Sequence, residues 1–156
     1  MARIITQSLI DRLIDDDPEG SADVHETEEA AVARYKVALR RDLESLLNTK
    51  RPWLPVTDRY PGMDRTIVGY GIPDLSTEDM SVAAVRERVR RTIAQVIREH
   101  EPRLSGIDIE MDEGPTSKGM RLRISAVLNI MQAEETVVYE AAVHPGDRTI
   151  EVALTG

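Results

Sequence analysis

The sequence predicts an α+β fold: N-terminal helices followed by an antiparallel meander sheet packed against the third helix. Three observations lead there. Apolar residues recur at intervals of three and four in three stretches that precede Glu101. They recur at every second position in four stretches that follow Ser105. The last helical stretch also carries an apolar stripe suited to cover a half-apolar sheet, and this segregation of helices from strands along the chain is the mark of the class.

The first helix is expected over residues 4–14, where Ile5, Leu9 and Leu13, with Ile10 and Ile14 beside them, share a face. Residues 15–29, DDDPEGSADVHETEE, are acidic, interrupted by Pro18 and Gly20 and almost free of apolar residues. That composition reads as a flexible linker, which leaves the first helix free to dock on a partner. A second helix is predicted over 27–47, with Val32, Tyr35, Leu39, Leu43, Leu46 and Leu47 on one stripe and Asn48 and Pro52 as stop signals. Residues 51–76 are rich in proline and glycine, and a loop of that length normally packs on the domain or carries function.

The third helix is expected over 81–100, with Val82, Val85, Val89, Ile93, Val96 and Ile97 on one side. Arg88, Arg91 and Arg98 fall opposite, with Arg86 and Arg90 nearer the edges. The strand candidates are GIDIEM, MRLRISAVLNI, TVVYEAAV and TIEVAL, each alternating apolar with polar. HPGDR, residues 144–148, is a tight turn that makes the last two antiparallel neighbours, and EGPTSKG, residues 113–119, is a longer hairpin loop. The organisation expected is therefore an N-terminal helix (1–14), an acidic linker (15–29) and one domain (30–156).

Composition excludes several functions. With no cysteine, disulfides and thiolate metal sites are ruled out and a reducing compartment fits. Neither a signal peptide nor an apolar run near the ~18 residues of a membrane span is present, so a soluble cytoplasmic protein is expected. A net charge of -8 argues against nucleic acid as a partner, and the absence of Phe, with a single Trp, removes stacking platforms.

The candidate site is EPRL: Glu101, Pro102, Arg103 and Leu104. Proline at 102 stops the helix, and Ser105-Gly106 reads as a turn. Termination alone does not require a carboxylate and a guanidinium on either side of the proline. In an extended segment residues 101 and 103 point the same way, able to pair with each other or to reach separate partners. Glycosidase chemistry would need a second carboxyl group roughly 5–9.5 Å from Glu101. Asp108 and Glu110 are the candidates, but their alternation with apolar residues places them on a solvated strand face.

Residues 15–26, DDDPEGSADVHE, approach an EF-hand loop with Asp15, Asp17, Glu19, Gly20, Asp23 and Glu26 at its first, third, fifth, sixth, ninth and twelfth positions. Glu at the fifth position, Pro18 at the fourth and Ala22 at the eighth favour an acidic linker instead. His25, His100 and His144 lack metal-ligand spacing. The arginine face of the third helix reads as solvated surface.

Five stretches in order carry a resemblance: SLIDRL (8–13), DLESLLNTKR (42–51), GYGIPDLS (69–76), the helix ending in EPRL (101–104), and the C-terminal alternating strands. Together they resemble the small baseplate wedge subunits of bacterial type VI secretion systems, the TssE family. That family belongs to the gene-25-like proteins of contractile phage tails, which carry a lysozyme-like label. Lys50 departs from the arginine frequent in the secretion version, and the acidic linker is particular to this chain.

The resemblance implies a structural, non-enzymatic subunit of a baseplate docked at the inner-membrane complex. It implies wedge partners TssF, TssG and TssK and sheath partners TssB and TssC, whose polymerisation the baseplate initiates. It also implies a sheet extended by strands from the first sheath ring. Glu101, Pro102, Arg103 and Leu104 then form a partner-contact or structural motif, with no catalytic residue, cofactor or metal. The label itself leaves a peptidoglycan-cleaving enzyme as the alternative.

Overall fold

A computed structural model describes residues 13, 27–52, 60–63, 66–114, 119–130, 133–143 and 149–155. Its elements run α1 (Glu28–Asn48), α2 (Ala83–His100), β1 (Leu104–Met111), β2 (Met120–Ile130), β3 (Ala133–Val143) and β4 (Ile150–Leu154). The four strands form one antiparallel sheet in sequential order, the meander that the alternation predicts. Apart from Leu13, the predicted helix over 4–14 falls outside the described residues. So do the calcium-like loop over 15–26 and the turn over 144–148.

α1 starts where Thr27 caps it, its hydroxyl oxygen accepting from the Ala30 N–H at 3.3 Å. It ends at Asn48, after which Thr49 turns extended. The chain then docks onto its own loop: Arg51 N–H donates to the Ile72 carbonyl at 2.7 Å and Ile72 N–H to the Thr49 carbonyl at 2.9 Å. Gly71 makes this approach possible. Its φ is +102°, and a Cβ there would lie 2.3 Å from the Thr49 oxygen. The GYGI segment is thus the point where the long loop is tied to the end of α1.

α2 begins at Ala83, two residues later than the stripe suggests. Val82 occupies the N-cap position and is exposed, so the apolar face starts at Val85. The expected cover of the sheet is also shared. α2 lies over β1, while α1 lies over β4. Leu39, Leu43, Leu46 and Leu47 of α1 join Val89, Ile93, Val96 and Ile97 of α2 above the inward residues of all four strands. Each such aliphatic side chain contributes about 1.5–3 kcal/mol by leaving water. Tyr139 is the largest fully buried side chain, and its hydroxyl reaches the Lys36 carbonyl at 3.4 Å.

One irregularity sets the phase of β1. Strict alternation from Leu104 would turn Ile107 outward, yet Leu104, Ile107 and Ile109 are all buried. The register with β2 shifts between Ser105 and Asp108, at Gly106 with φ +57°. This bulge adds the residue that returns the apolar set to the core.

Candidate functional site

The segment that ends α2 and opens β1 is a two-residue corner. Glu101 N–H still donates to the Ile97 carbonyl at 2.8 Å, so Glu101 closes the helix. Pro102 cannot continue it and projects into solvent. Leu104 N–H then returns to the Glu101 carbonyl at 3.1 Å, and the Arg103 carbonyl accepts from Asn129 N–H at 3.0 Å, which places the chain beside β2.

Both alternatives for the charged pair are realised at once. Arg103 Nε donates to Glu101 Oε2 and Arg103 Nη2 to Glu101 Oε1, each at 2.7 Å, a bidentate pairing across the proline. The same Nη2 donates to Asp42 Oδ2 on α1 at 2.7 Å. The guanidinium carbon sits 5.7 Å from the centroid of the Tyr35 ring, within cation–π range. Arg103 therefore ties the corner to α1. Leu104 is buried beneath it, and Glu101 is the one charged residue among the buried described residues, 8% exposed.

Electrostatics follow from that burial. Burial pushes the Glu101 carboxyl above the usual glutamate value, with the Arg103 charge and hydrogen bonds pulling against it. Burial also opposes the Arg103 charge, but hydrogen bonding and attraction from Asp42 and Glu101 outweigh it and raise its pKa. Burial takes the nearby Tyr139 phenol up to about 12.

The other candidates are dispersed. Asp108 and Glu110 lie on the exposed face of β1, whereas the Glu101 carboxylate is turned inward and engaged by Arg103. His100 packs edge-on against Tyr70, with ring centroids 5.4 Å apart; His25 and His144 lie outside the described residues. Among the described residues no group of three acidic or histidine side chains could hold a metal ion.

The arginines of α2 are engaged locally. Glu87 accepts from Arg90 and Arg91, Glu78 from Arg88, and backbone carbonyls from Arg86 and Arg98. An apolar cavity of about 260 Å³ lies where Leu47, Ile72, Leu75, Val89, Met111 and Leu122 converge.

Sequence reasoning missed Asp42 and Tyr35 as members of the charged cluster. The signal was present: Tyr35, Leu39, Asp42 and Leu46 are spaced by four, three and four, so a carboxylate stands within the core-facing stripe of α1. A charge in an apolar stripe asks for a buried partner.

A family model described as baseplate wedge protein gp25 matches residues 33–133. That span contains most of α1, all of α2, β1 and β2, and every member of the Asp42–Glu101–Arg103 cluster. No curated protein and no solved structure matches the chain at a significant level.

Proposed function

The chain belongs to the baseplate wedge protein gp25 family, and from that premise we propose that it is a structural wedge subunit of a type VI secretion baseplate. Its role in a baseplate is scaffolding. The match over 33–133 carries this reading, and the secretion assignment is supported by the ordered motifs SLIDRL and DLESLLNTKR. Under this proposal the subunit joins TssF, TssG and TssK in the bacterial cytoplasm, at the inner-membrane complex. There it helps start polymerisation of the TssB–TssC sheath, accepting an extended strand at its sheet edge.

It works without catalysis. A glycosidase needs a carboxylic acid facing substrate and a second carboxylate across a cleft. Here the buried Glu101 is held by Arg103, and the nearest candidates by sequence face the other side of β1. Glu101, Pro102, Arg103 and Leu104 serve as an internal clamp that fixes the angle between α2 and the sheet and locks both to α1.

Two experiments test the proposal. Affinity purification of the tagged full chain from its host is expected to recover wedge and sheath proteins; recovering none, in cells that build the machine, overturns the assignment. Incubation with purified cell walls is expected to release no muropeptides. Release that disappears in Glu101→Gln would establish the enzyme instead.

A further inference from the structure

The two edges of the sheet are finished differently. At β4, Thr155 N–H donates to the Val138 carbonyl at 2.9 Å, which sets the phase so that the backbones of Ile150 and Val152 face away from β3. Side chains of α1 close both positions. The Asn48 amide donates to the Ile150 carbonyl and accepts from the Ile150 N–H, each at 2.8 Å, as a paired strand would. Glu44 accepts from the Val152 N–H at 3.2 Å, and Arg40 donates to the Val152 carbonyl at 3.0 Å while also holding Glu44. The last strand is therefore capped by a surrogate strand made of side chains.

Among the described residues no such cap covers the far half of β1. Asp112 N–H donates to the Arg121 carbonyl at 3.2 Å, so the backbones of Glu110 and Asp108 face β2 and those of Met111 and Ile109 face outward. Arg98 reaches the Ile107 carbonyl at 3.3 Å, and the covered stretch ends there. Among the described residues nothing hydrogen-bonds the outward N–H and C=O groups of Ile109 and Met111. Such an edge is a template for another strand.

The side chains state what that strand must look like. Asp108, Glu110 and Asp112 stand exposed at alternate positions along this stretch, with Arg123 opposite Glu110 on the β2 side only. Arg90 approaches Asp108 no closer than 3.8 Å, and the Asp108 side chain stays 69% exposed. The inward positions beside the opening are apolar, Ile109 and Met111. A strand added here would set one row of its side chains against carboxylates and the other against the rim of the core. A second copy of this chain fails that test, because pairing β1 with β1 brings carboxylates against carboxylates.

We propose that β1 at Ile109–Met111, and not β4, receives an extended segment of a partner protein in which basic and apolar residues alternate. This rests on the strand-accepting part of the proposed function and adds the edge and the chemistry of the partner.

The test uses the full chain and two short synthetic peptides, one alternating valine with lysine and one alternating valine with glutamate. Amide hydrogen exchange followed by NMR is expected to show added protection at Ile109 and Met111 with the lysine peptide, and none with the glutamate peptide. The double variant Asp108→Lys/Glu110→Lys is expected to weaken lysine-peptide binding by about tenfold or more, loss of favourable cross-strand charge pairing being the cause. If that variant does not fold, Asp108→Asn/Glu110→Gln is read in its place, with a smaller loss expected in the same direction. Protection appearing along β4 instead of β1, equal binding of both peptides, or binding indifferent to these substitutions would each overturn the proposal. The purification from the host separates the two readings. Recovery of baseplate proteins with a silent β1 sinks only the edge assignment, and a responsive β1 with no baseplate proteins sinks only the wedge assignment.

Discussion

Two arginine–carboxylate clusters lie along one stretch of chain, at Glu87 and at Glu101, and they differ in almost everything but chemistry. Glu87 accepts from Arg90 and Arg91 on the solvent side of a single helix, and those arginines draw its carboxyl down to about 2. Glu101 accepts a bidentate pair from Arg103, yet burial moves its carboxyl the opposite way. The second cluster joins separate elements by a 2.7 Å hydrogen bond to Asp42 on α1, whereas the first leaves its helix only through the 3.8 Å approach of Arg90 to the exposed Asp108. The same pairing is thus a solvated ornament in one place and a fixed joint in the other, and burial decides which.

Breaking the joint should have the largest effect. Arg103→Ala leaves the buried Glu101 without its cation, beside an Asp42 that keeps only Arg41 at 3.6 Å, and the expected cost is about 3–5 kcal/mol in denaturant unfolding. An unchanged midpoint would mean the corner is dispensable to the fold. Replacing the whole cluster, Asp42→Leu/Glu101→Leu/Arg103→Met, is expected to recover most of that loss, because no buried charge is then left unpaired. A triple variant no more stable than Arg103→Ala would show that the ionic pairing is favourable in its own right.

Smaller effects sharpen the contrast. An NMR titration of the carboxyl groups should find Glu101 above the ordinary 4.5 and Glu87 far below it. The signs then differ. Glu87, depressed, contributes stability above the ordinary glutamate value that is lost as pH falls through about 2. Glu101, raised, favours the folded state below the ordinary value, and that contribution declines as pH rises through its folded value. Coincident titrations would erase the distinction. The smallest effect is expected for Glu87→Gln, which should leave the unfolding midpoint almost unmoved at moderate salt.

How much of this was legible in the sequence depends on the range of the interaction. Alternation over Met120–Ile130 gave the strand and its buried face, since period two is a local property. The stop at Pro102 and the pairing of Glu101 with Arg103 were legible for the same reason. The bulge at Gly106 was not, because a turn and a bulge use the same glycine and only the register with β2 separates them. Asp42 and the Asn48–Glu44–Arg40 cap on β4 were also hidden. Each joins residues roughly 60 to 110 positions apart in sequence, and no local pattern reports such a meeting. β1 and β2 pair antiparallel on either side of the loop expected over 113–119, of which 115–118 lie outside the described residues.

The central claim is that the Glu-Pro-Arg corner serves the baseplate by holding the subunit together and not by touching a partner. The most direct test follows fluorescent sheath assembly in host cells that carry the charge-free cluster Asp42→Leu/Glu101→Leu/Arg103→Met, with its folded fraction measured alongside. The expected result is a folded subunit and sheaths at close to the normal frequency. A subunit folded as well as the parent that starts no sheaths would contradict the claim and assign the corner to a partner.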